Sequence, residues 1–225
     1  MNIKAAIFDM DGTLIDSLML WDILWEAFGK KYLNGGIFKP DTDTDKKIRT
    51  MPVFDAMDYL HKTCQIGQSG EELYKIATET FRNFYSDEVK LKKGVRELLD
   101  YFYENGVKMC LATANDRDLV QVVLKHCDIE KYFLELFSCK ELGKGKESPD
   151  VFYIARDFLE TPIEETWVFE DSYMALDTAR KAGFPTVGVY DKYSYRQDIL
   201  RENSTVYISE KEDVSSLIPK LQKRH

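Results

Sequence analysis

Ile3-Lys4-Ala5-Ala6-Ile7-Phe8-Asp9-Met10-Asp11-Gly12-Thr13 is an apolar run that stops at an aspartate, with a second aspartate two residues on and a glycine after it. Ile3 to Phe8 is short and bounded by polar residues, the pattern of a buried strand. Gly12 is a turn signal directly after it. With the strand ending at Asp9, Asp11 turns back toward the same site. Two carboxylates so placed suit a nucleophile paired with a general acid and base. The competing reading is an ordinary solvated loop.

Outward from this run, the chain after Gly94 alternates between helical and extended patterns. Val95 to Tyr103 has a helical period, and Asn105-Gly106 ends it. Val107 to Ala112 reads as a strand, Asp116 as the cap of a helix reaching Cys127, and Leu136 to Ser138 as a short strand. Pro149 opens another helix at a favoured first-turn position. Trp167–Phe169, Thr186–Tyr190 and Val206–Ile208 complete the strands, with a helix to Ala182 and a Gly183 stop between the first two. This alternation predicts an α/β fold, a doubly wound parallel sheet with helices on both faces.

Ser17 to Glu88 differs. Leu18, Trp21, Leu24, Trp25 and Phe28 recur at helical spacing, as do Leu73, Ile76, Thr80, Phe81 and Phe84, with no convincing strand between. The expected organisation is a core domain of residues 1–16 and 89–225, and an all-α insert over 17–88 with a small core of its own. Asn34 to Lys47, with Gly35-Gly36, Pro40 and alternating aspartates, reads as an exposed loop. Asp41-Thr42-Asp43-Thr44-Asp45 lacks the glycine and terminal glutamate of a calcium-binding EF-hand.

With 225 residues, 44% of them hydrophobic, the chain can bury a substantial core. Its net charge of -8, from 31 basic and 39 acidic side chains, argues against nucleic acid or an anionic membrane as the main partner. It leaves room for a phosphate substrate, for which one local cationic site is enough. No segment approaches the roughly 18 apolar residues of a membrane helix, and the first apolar run is too short for a signal peptide. Cys64, Cys110, Cys127 and Cys139 form no CxxC pair and no zinc-binding spacing. The expectation is a cytoplasmic protein with reduced thiols, a monomer or a weak homo-oligomer.

Ligands of open parallel sheets bind beyond the carboxyl ends of the strands. The residues there are Asp9 and Asp11, Thr113 and Asn115, and Glu170 and Asp171, with Lys146 in a loop between elements. Clustered carboxylates including Asp171 suit magnesium, a hard cation that prefers oxygen and offsets the repulsion between carboxylate and phosphate. Thr113 and the N–H groups after it open onto a helix start, a ready anion site, although capping by Thr113, Asn115 or Asp116 accounts for the same residues. Lys146 lies in Gly143-Lys144-Gly145-Lys146, which lacks P-loop spacing. Alone it reads as solvated, and Glu170-Asp171 alone reads equally well as a helix cap.

Four pieces in order change that balance: Asp9-Met10-Asp11-Gly12-Thr13, Leu111-Ala112-Thr113-Ala114-Asn115, Lys146-Glu147-Ser148-Pro149-Asp150 and Glu170-Asp171-Ser172. Over nearly its whole length the chain resembles the haloacid dehalogenase-like superfamily of phosphatases and mutases. The helical insert resembles the cap of the subgroup that includes β-phosphoglucomutase and phosphoglycolate phosphatase. The resemblance implies a Rossmann-like core and a phosphomonoesterase acting on a small phosphorylated metabolite. Asp9 would form an aspartyl-phosphate, and Asp11 would protonate the leaving oxygen and then deprotonate water. Thr113, Asn115 and Lys146 would bind the phosphoryl oxygens. Magnesium would be held by the Asp9 carboxylate, the Asp11 main-chain carbonyl and Asp171, with Glu170 on the ion or just behind it.

Three departures bear on this. Ala175 stands where the family commonly has glycine, a change of packing. Trp21 stands near the cap histidine of the phosphoglucomutases and cannot shuttle protons. Their phosphate-gripping cap arginine has no counterpart in step, Arg49 lying nearby. Both cap differences favour hydrolysis over a sugar-phosphate mutase, and the presence of Asp11 argues against dehalogenation and against a non-catalytic phosphate-binding protein. Trp21, Trp25 and Tyr32 either line the cleft between cap and core or, as the simpler reading has it, form the core of the cap. His61 is read as a surface residue.

Overall fold

The computed structural model describes residues 2–49 and 51–222; Met1 and the last residues of the expected core segment lie outside them. After β1 (Ala5–Phe8) and β2 (Ile15–Asp16) come α1 (Leu20–Tyr32), α2 (Thr42–Ile48), α3 (Val53–Cys64) and α4 (Gly70–Asp87), and then β3 (Lys90–Leu91). Helices and strands then alternate through α5 (Val95–Glu104), β4 (Lys108–Thr113), α6 (Arg117–His126), β5 (Leu136–Ser138), α7 (Cys139–Leu142) and α8 (Asp150–Leu159). The chain continues through β6 (Thr166–Glu170), α9 (Tyr173–Lys181), β7 (Thr186–Val189), α10 (Gln197–Asn203), β8 (Val206–Ile208) and α11 (Ile218–Gln222).

The six-stranded sheet is parallel throughout, in the order β5-β4-β1-β6-β7-β8. The opening stretch explains why β1 is central. All four of its residues are buried, so both of its faces must be covered, as parallel sheets require. Ala6 and Phe8 face one apolar layer with Leu99 and Phe102 of α5, and Phe8 stacks on Phe169 with ring centroids 4.3 Å apart. Ala5 and Ile7 face the other, with Val151, Phe152 and Ala155 of α8. The period-two alternation of β1 thus fixes helices on both sides of the sheet.

The short strands β2 and β3 pair antiparallel, Ile15 opposite Leu91 and Asp16 opposite Lys90, and every regular element described between them is helical. Two expectations about this stretch need correction. Its apolar side chains do not form a separate core: Leu24, Phe28, Leu73 and Phe81 belong to one contiguous cluster with Leu111 and Phe169 of the sheet. The loop expected over 34–47 is present over 34–41, but the polar run from Thr42 onward is helix α2. The Asp41 carboxylate caps it, accepting from the N–H groups of Asp43 and Thr44 at 3.0 Å each. Asp43 and Asp45 in the first turn and Lys46 and Lys47 in the last complement the helix dipole.

Asp116 does occupy the N-cap position of α6, but its side chain makes no capping bond. Its carboxylate instead accepts from the Tyr74 hydroxyl of α4 and from Lys140 Nζ at 2.8 Å, which joins α4 to the edge of the sheet.

Candidate active site

Because β4, β1 and β6 are neighbours in the sheet, their carboxyl ends deliver Thr113, Asp9 and Glu170 side by side. Asp9 is still held in sheet register by its N–H on the Phe169 carbonyl at 3.0 Å. The chain then turns sharply. The N–H groups of Thr13, Leu14 and Ile15 converge on the Met10 carbonyl at 3.3, 2.9 and 3.2 Å, and the Gly12 N–H returns to the Ile15 carbonyl at 3.0 Å. This turn swings Asp11 back over the strand end.

Gly12 is required there twice over. Its φ of +78° lies in the region that L side chains avoid, and a Cβ would sit 2.7 Å from Asp171 Oδ2 and 2.9 Å from Leu18 Cδ1. Gly12→Ala is therefore expected to lower the urea midpoint by the equivalent of about 1–3 kcal/mol. It also displaces Asp171, so turnover should fall more than stability alone explains. A variant with the parent's midpoint and rate contradicts this account of the turn.

Asp9, Glu170 and Asp171 are buried, each offering an oxygen within 4.8 Å of the others. Lys146 Nζ bridges two of them, donating to Asp9 Oδ1 and to Glu170 Oε1, the latter at 2.6 Å. Asp171 accepts from Thr13 Oγ1 at 3.3 Å and from the Ser194 hydroxyl. Burial pushes the Glu170 carboxyl above the usual carboxylate range, with Lys146 opposing the shift and Asp9 adding to it. Burial, then Asp9 and Glu170, raise Asp171 well above the usual carboxylate range. Burial disfavours the charge on Lys146, but Asp9 and Glu170 overcome this and hold its pKa above the ordinary lysine value.

Three carboxylates crowded around one ammonium make a donor set short of positive charge, and all their ligating atoms are oxygens. That fits a hard divalent cation. The Asp11 carboxylate is not part of this cluster. It accepts from Ser17 Oγ and the Tyr85 hydroxyl on Oδ1, at 2.7 and 2.6 Å, and from Asn115 Nδ2 on Oδ2 at 2.7 Å. Burial first, then Asp9, raise the Asp11 pKa, against the pull of those three bonds.

All seven expected site residues line one cavity of about 520 Å³, which Trp21, Arg49, Met51, Val53 and Phe81 from the helical stretch also line. The Asn115 amide is turned to Asp11 and Tyr85 rather than left open for a phosphoryl oxygen. The Asn115 backbone N–H donates to Thr113 Oγ1 at 3.1 Å. The tryptophans divide: Trp21 lines the cavity, whereas Trp25 is 3% exposed and packed among Phe28 and Phe38. His61 lies at the end of α3 against the Ile66 carbonyl, 2.8 Å away.

Two participants, Tyr85 and Tyr195, escaped the sequence reading, and Arg49 entered it only as an arginine out of step with the family's. Tyr85 falls one position past Phe84 on the apolar stripe of α4, where a phenol must find a partner once buried. Tyr195, from the loop after β7, donates to Asp45 Oδ2 at 2.5 Å. Arg49 donates from Nε to the same oxygen at 2.9 Å and lies 5.3 Å over the Trp21 ring, with its Nη1 buried and unpartnered among the described residues. The strand-end rule, applied to β7, flags the Tyr195 loop.

Fold and site together define an enzyme that works with carboxylates at the carboxyl edge of a parallel sheet. The chain belongs to the haloacid dehalogenase-like hydrolase family, whose model matches residues 6–189. It is 26% identical over 219 residues to the phosphorylated carbohydrates phosphatase of Thermotoga maritima, covering 95% of this chain and 98% of that one. It is 25% identical over 223 residues to glycerol-1-phosphate phosphohydrolase 2 of Saccharomyces cerevisiae, covering 90% and 80%. With these relatives it stands among the phosphoric monoester hydrolases. A β-phosphoglucomutase structure from Clostridium difficile superposes with a TM-score of 0.76 over 98% of this chain and 96% of that one; at 16% identity this likeness is one of fold. No described helix is long and apolar enough to cross a membrane.

Proposed function

We propose that the chain is a magnesium-dependent phosphomonoesterase that hydrolyses a small phosphorylated metabolite, of the sugar-phosphate kind, through an aspartyl-phosphate on Asp9. The observation that carries this reading is the division of labour among the carboxylates. Asp9 sits in the Lys146–Glu170–Asp171 cluster, while Asp11 is held apart by three hydrogen-bond donors.

In this mechanism an Asp9 oxygen attacks phosphorus while Lys146 and the Thr113 hydroxyl hold the phosphoryl oxygens, stabilising the charge spread over them. Asp11 protonates the departing oxygen and then takes a proton from the incoming water. Asp9, Asp171 and the Asp11 main-chain carbonyl would hold magnesium, with Glu170 engaged mainly by Lys146 and the Ser172 N–H. The ion supplies charge neutralisation between nucleophile and phosphate. Asn115 serves Asp11 in this reading. The core of 1–16 and 89–225 supplies the chemistry, and the 17–88 cap closes the cavity. Arg49 also lines the cavity, with its guanidinium paired to Asp45. A cytoplasmic location fits four cysteines of which none is paired in a disulfide, and the chain is read as a monomer or a weak homo-oligomer.

Relatives acting on phosphorylated carbohydrates and glycerol phosphate guide the test. Across a panel of phosphorylated metabolites with magnesium, phosphate release should match substrate loss, and chelation should lower the rate by at least about 10²-fold. Turnover that survives chelation overturns the metal assignment. A sugar-phosphate mutase is the second reading; it needs a grip for a second anionic group, and the Arg49 guanidinium that lines the cavity is already paired with Asp45. Interconversion of sugar 1- and 6-phosphates without free phosphate would establish it, whereas Trp21, with no titratable proton, favours hydrolysis.

A further inference from the structure

The hydrogen bonds to Asp11 come from three separate segments: Ser17 in the link from β2 to α1, Tyr85 in the last turn of α4, and Asn115 in the loop after β4. Asn115 Nδ2 also donates to the Tyr85 oxygen at 2.9 Å, so Tyr85, Asn115 and Asp11 close a ring of hydrogen bonds. Tyr85 is 1% exposed and wedged against Phe81 and Phe84, at ring-centroid distances of 6.4 and 6.0 Å. Its hydroxyl therefore has a single orientation available. A phenylalanine would satisfy every apolar contact of this position, and burying the hydroxyl is costly unless it is bonded. The partner it meets is the carboxylate assigned to proton transfer.

We propose that Tyr85, itself held by Asn115, is the positioning residue that fixes the Asp11 carboxyl in line with the leaving oxygen. The proposal rests on the reading of Asp11 as acid and base. In the first half-reaction an Asp9 oxygen bonds to phosphorus and the bond from phosphorus to the leaving oxygen breaks. The Asp11 proton passes to that oxygen, and the carboxylate left behind keeps its three donors. In the second half-reaction water oxygen bonds to phosphorus, its proton passes to Asp11, and the bond to Asp9 breaks. Because α4 leads directly into β3, the placement of the acid depends on the seating of the helical stretch that carries Tyr85.

The test compares two aryl phosphates by kcat/KM, which reports the steps up to departure of the leaving group. Phenyl phosphate expels a phenolate whose pKa, like that of tyrosine, is about 10, so it needs a well-placed acid. The leaving group of 4-nitrophenyl phosphate departs unaided at neutral pH. Tyr85→Phe should lose about tenfold or more on phenyl phosphate and less than about threefold on 4-nitrophenyl phosphate. Equal losses on both esters reduce Tyr85 to a structural role, and no loss on either removes it from positioning; both results overturn the proposal.

If thermal melting shows that Tyr85→Phe does not fold, Asn115→Ala opens the same ring, and the same comparison and outcomes apply. Asp11→Asn separates this proposal from the reading beneath it. Its loss should be larger and equally selective for phenyl phosphate. A selective Asp11→Asn beside an unselective Tyr85→Phe sinks the positioning role alone, whereas an unselective Asp11→Asn, or no turnover of either ester by the parent, sinks both.

Discussion

Asp9→Asn is expected to lower kcat/KM by at least about 10⁴, a barrier increase of more than about 5 kcal/mol, while the protein stays folded. The substitution keeps the shape of the side chain and removes its charge. A neutral amide is a poor nucleophile toward phosphorus, and the covalent route that splits one difficult displacement into two is closed with it. The cluster with Glu170 and Asp171 also loses one of its three carboxylates. For the fold, the same loss is tolerable: Asp9 contributes to the raised pKa of both neighbours, so removing its charge relieves repulsion. Lys146 keeps Glu170 as a partner at 2.6 Å. Thermal melting should therefore show a midpoint at or above the parent's beside a near-complete loss of phosphate release. Activity within tenfold of the parent would place the nucleophile elsewhere.

Lys146→Met should be damaging on both counts. As the donor assigned to the phosphoryl oxygens, Lys146 carries transition-state charge, and removing one such donor costs about 10²–10³ in rate. It is also the cation between Asp9 and Glu170, with its side chain 12% exposed and theirs 11% and 1%. Methionine fills the same volume and leaves both carboxylates without that partner. Breaking a buried ion pair from one side costs about 3–5 kcal/mol, and the low end of that range applies because Glu170 retains its bond from the Ser172 N–H. Urea unfolding in the presence of a chelator reads the stability term, and kcat/KM at saturating magnesium reads the catalytic one. Unchanged stability beside a lost rate would mean that the lysine is not an obligate partner of the acidic cluster.

Much of the sheet is legible in the sequence because its strands are short apolar runs bounded by Asn-Gly, Pro or acidic residues, a pattern set by burial on both faces. Leu136–Ser138 and Val206–Ile208 coincide with the observed strands. The residues that line the cavity are legible for a related reason, since a parallel sheet places whatever follows its central strands at one edge. Residues 41–47 were harder to read because capping and charge order, rather than apolar period, make α2 a helix. The contiguity of the helical core with the sheet depends on docking, which no local pattern records. Tyr85 reads as one more aromatic on an amphipathic stripe, and its hydroxyl acquires meaning only when α4 is brought against Asp11. Arg49 and Tyr195 meet over Asp45 from positions 150 residues apart in the case of the tyrosine, a separation at which spacing carries no signal.

The most direct test of the central claim is to trap the phosphoryl-enzyme. Borohydride added during turnover of a phosphate ester should reduce an aspartyl-phosphate, and peptide mass spectrometry should then find homoserine at position 9. The product should be absent without substrate and absent in Asp9→Asn. Steady phosphate release with Asp9 unmodified, or with the reduced residue at another carboxylate, would contradict the assignment of Asp9 as nucleophile.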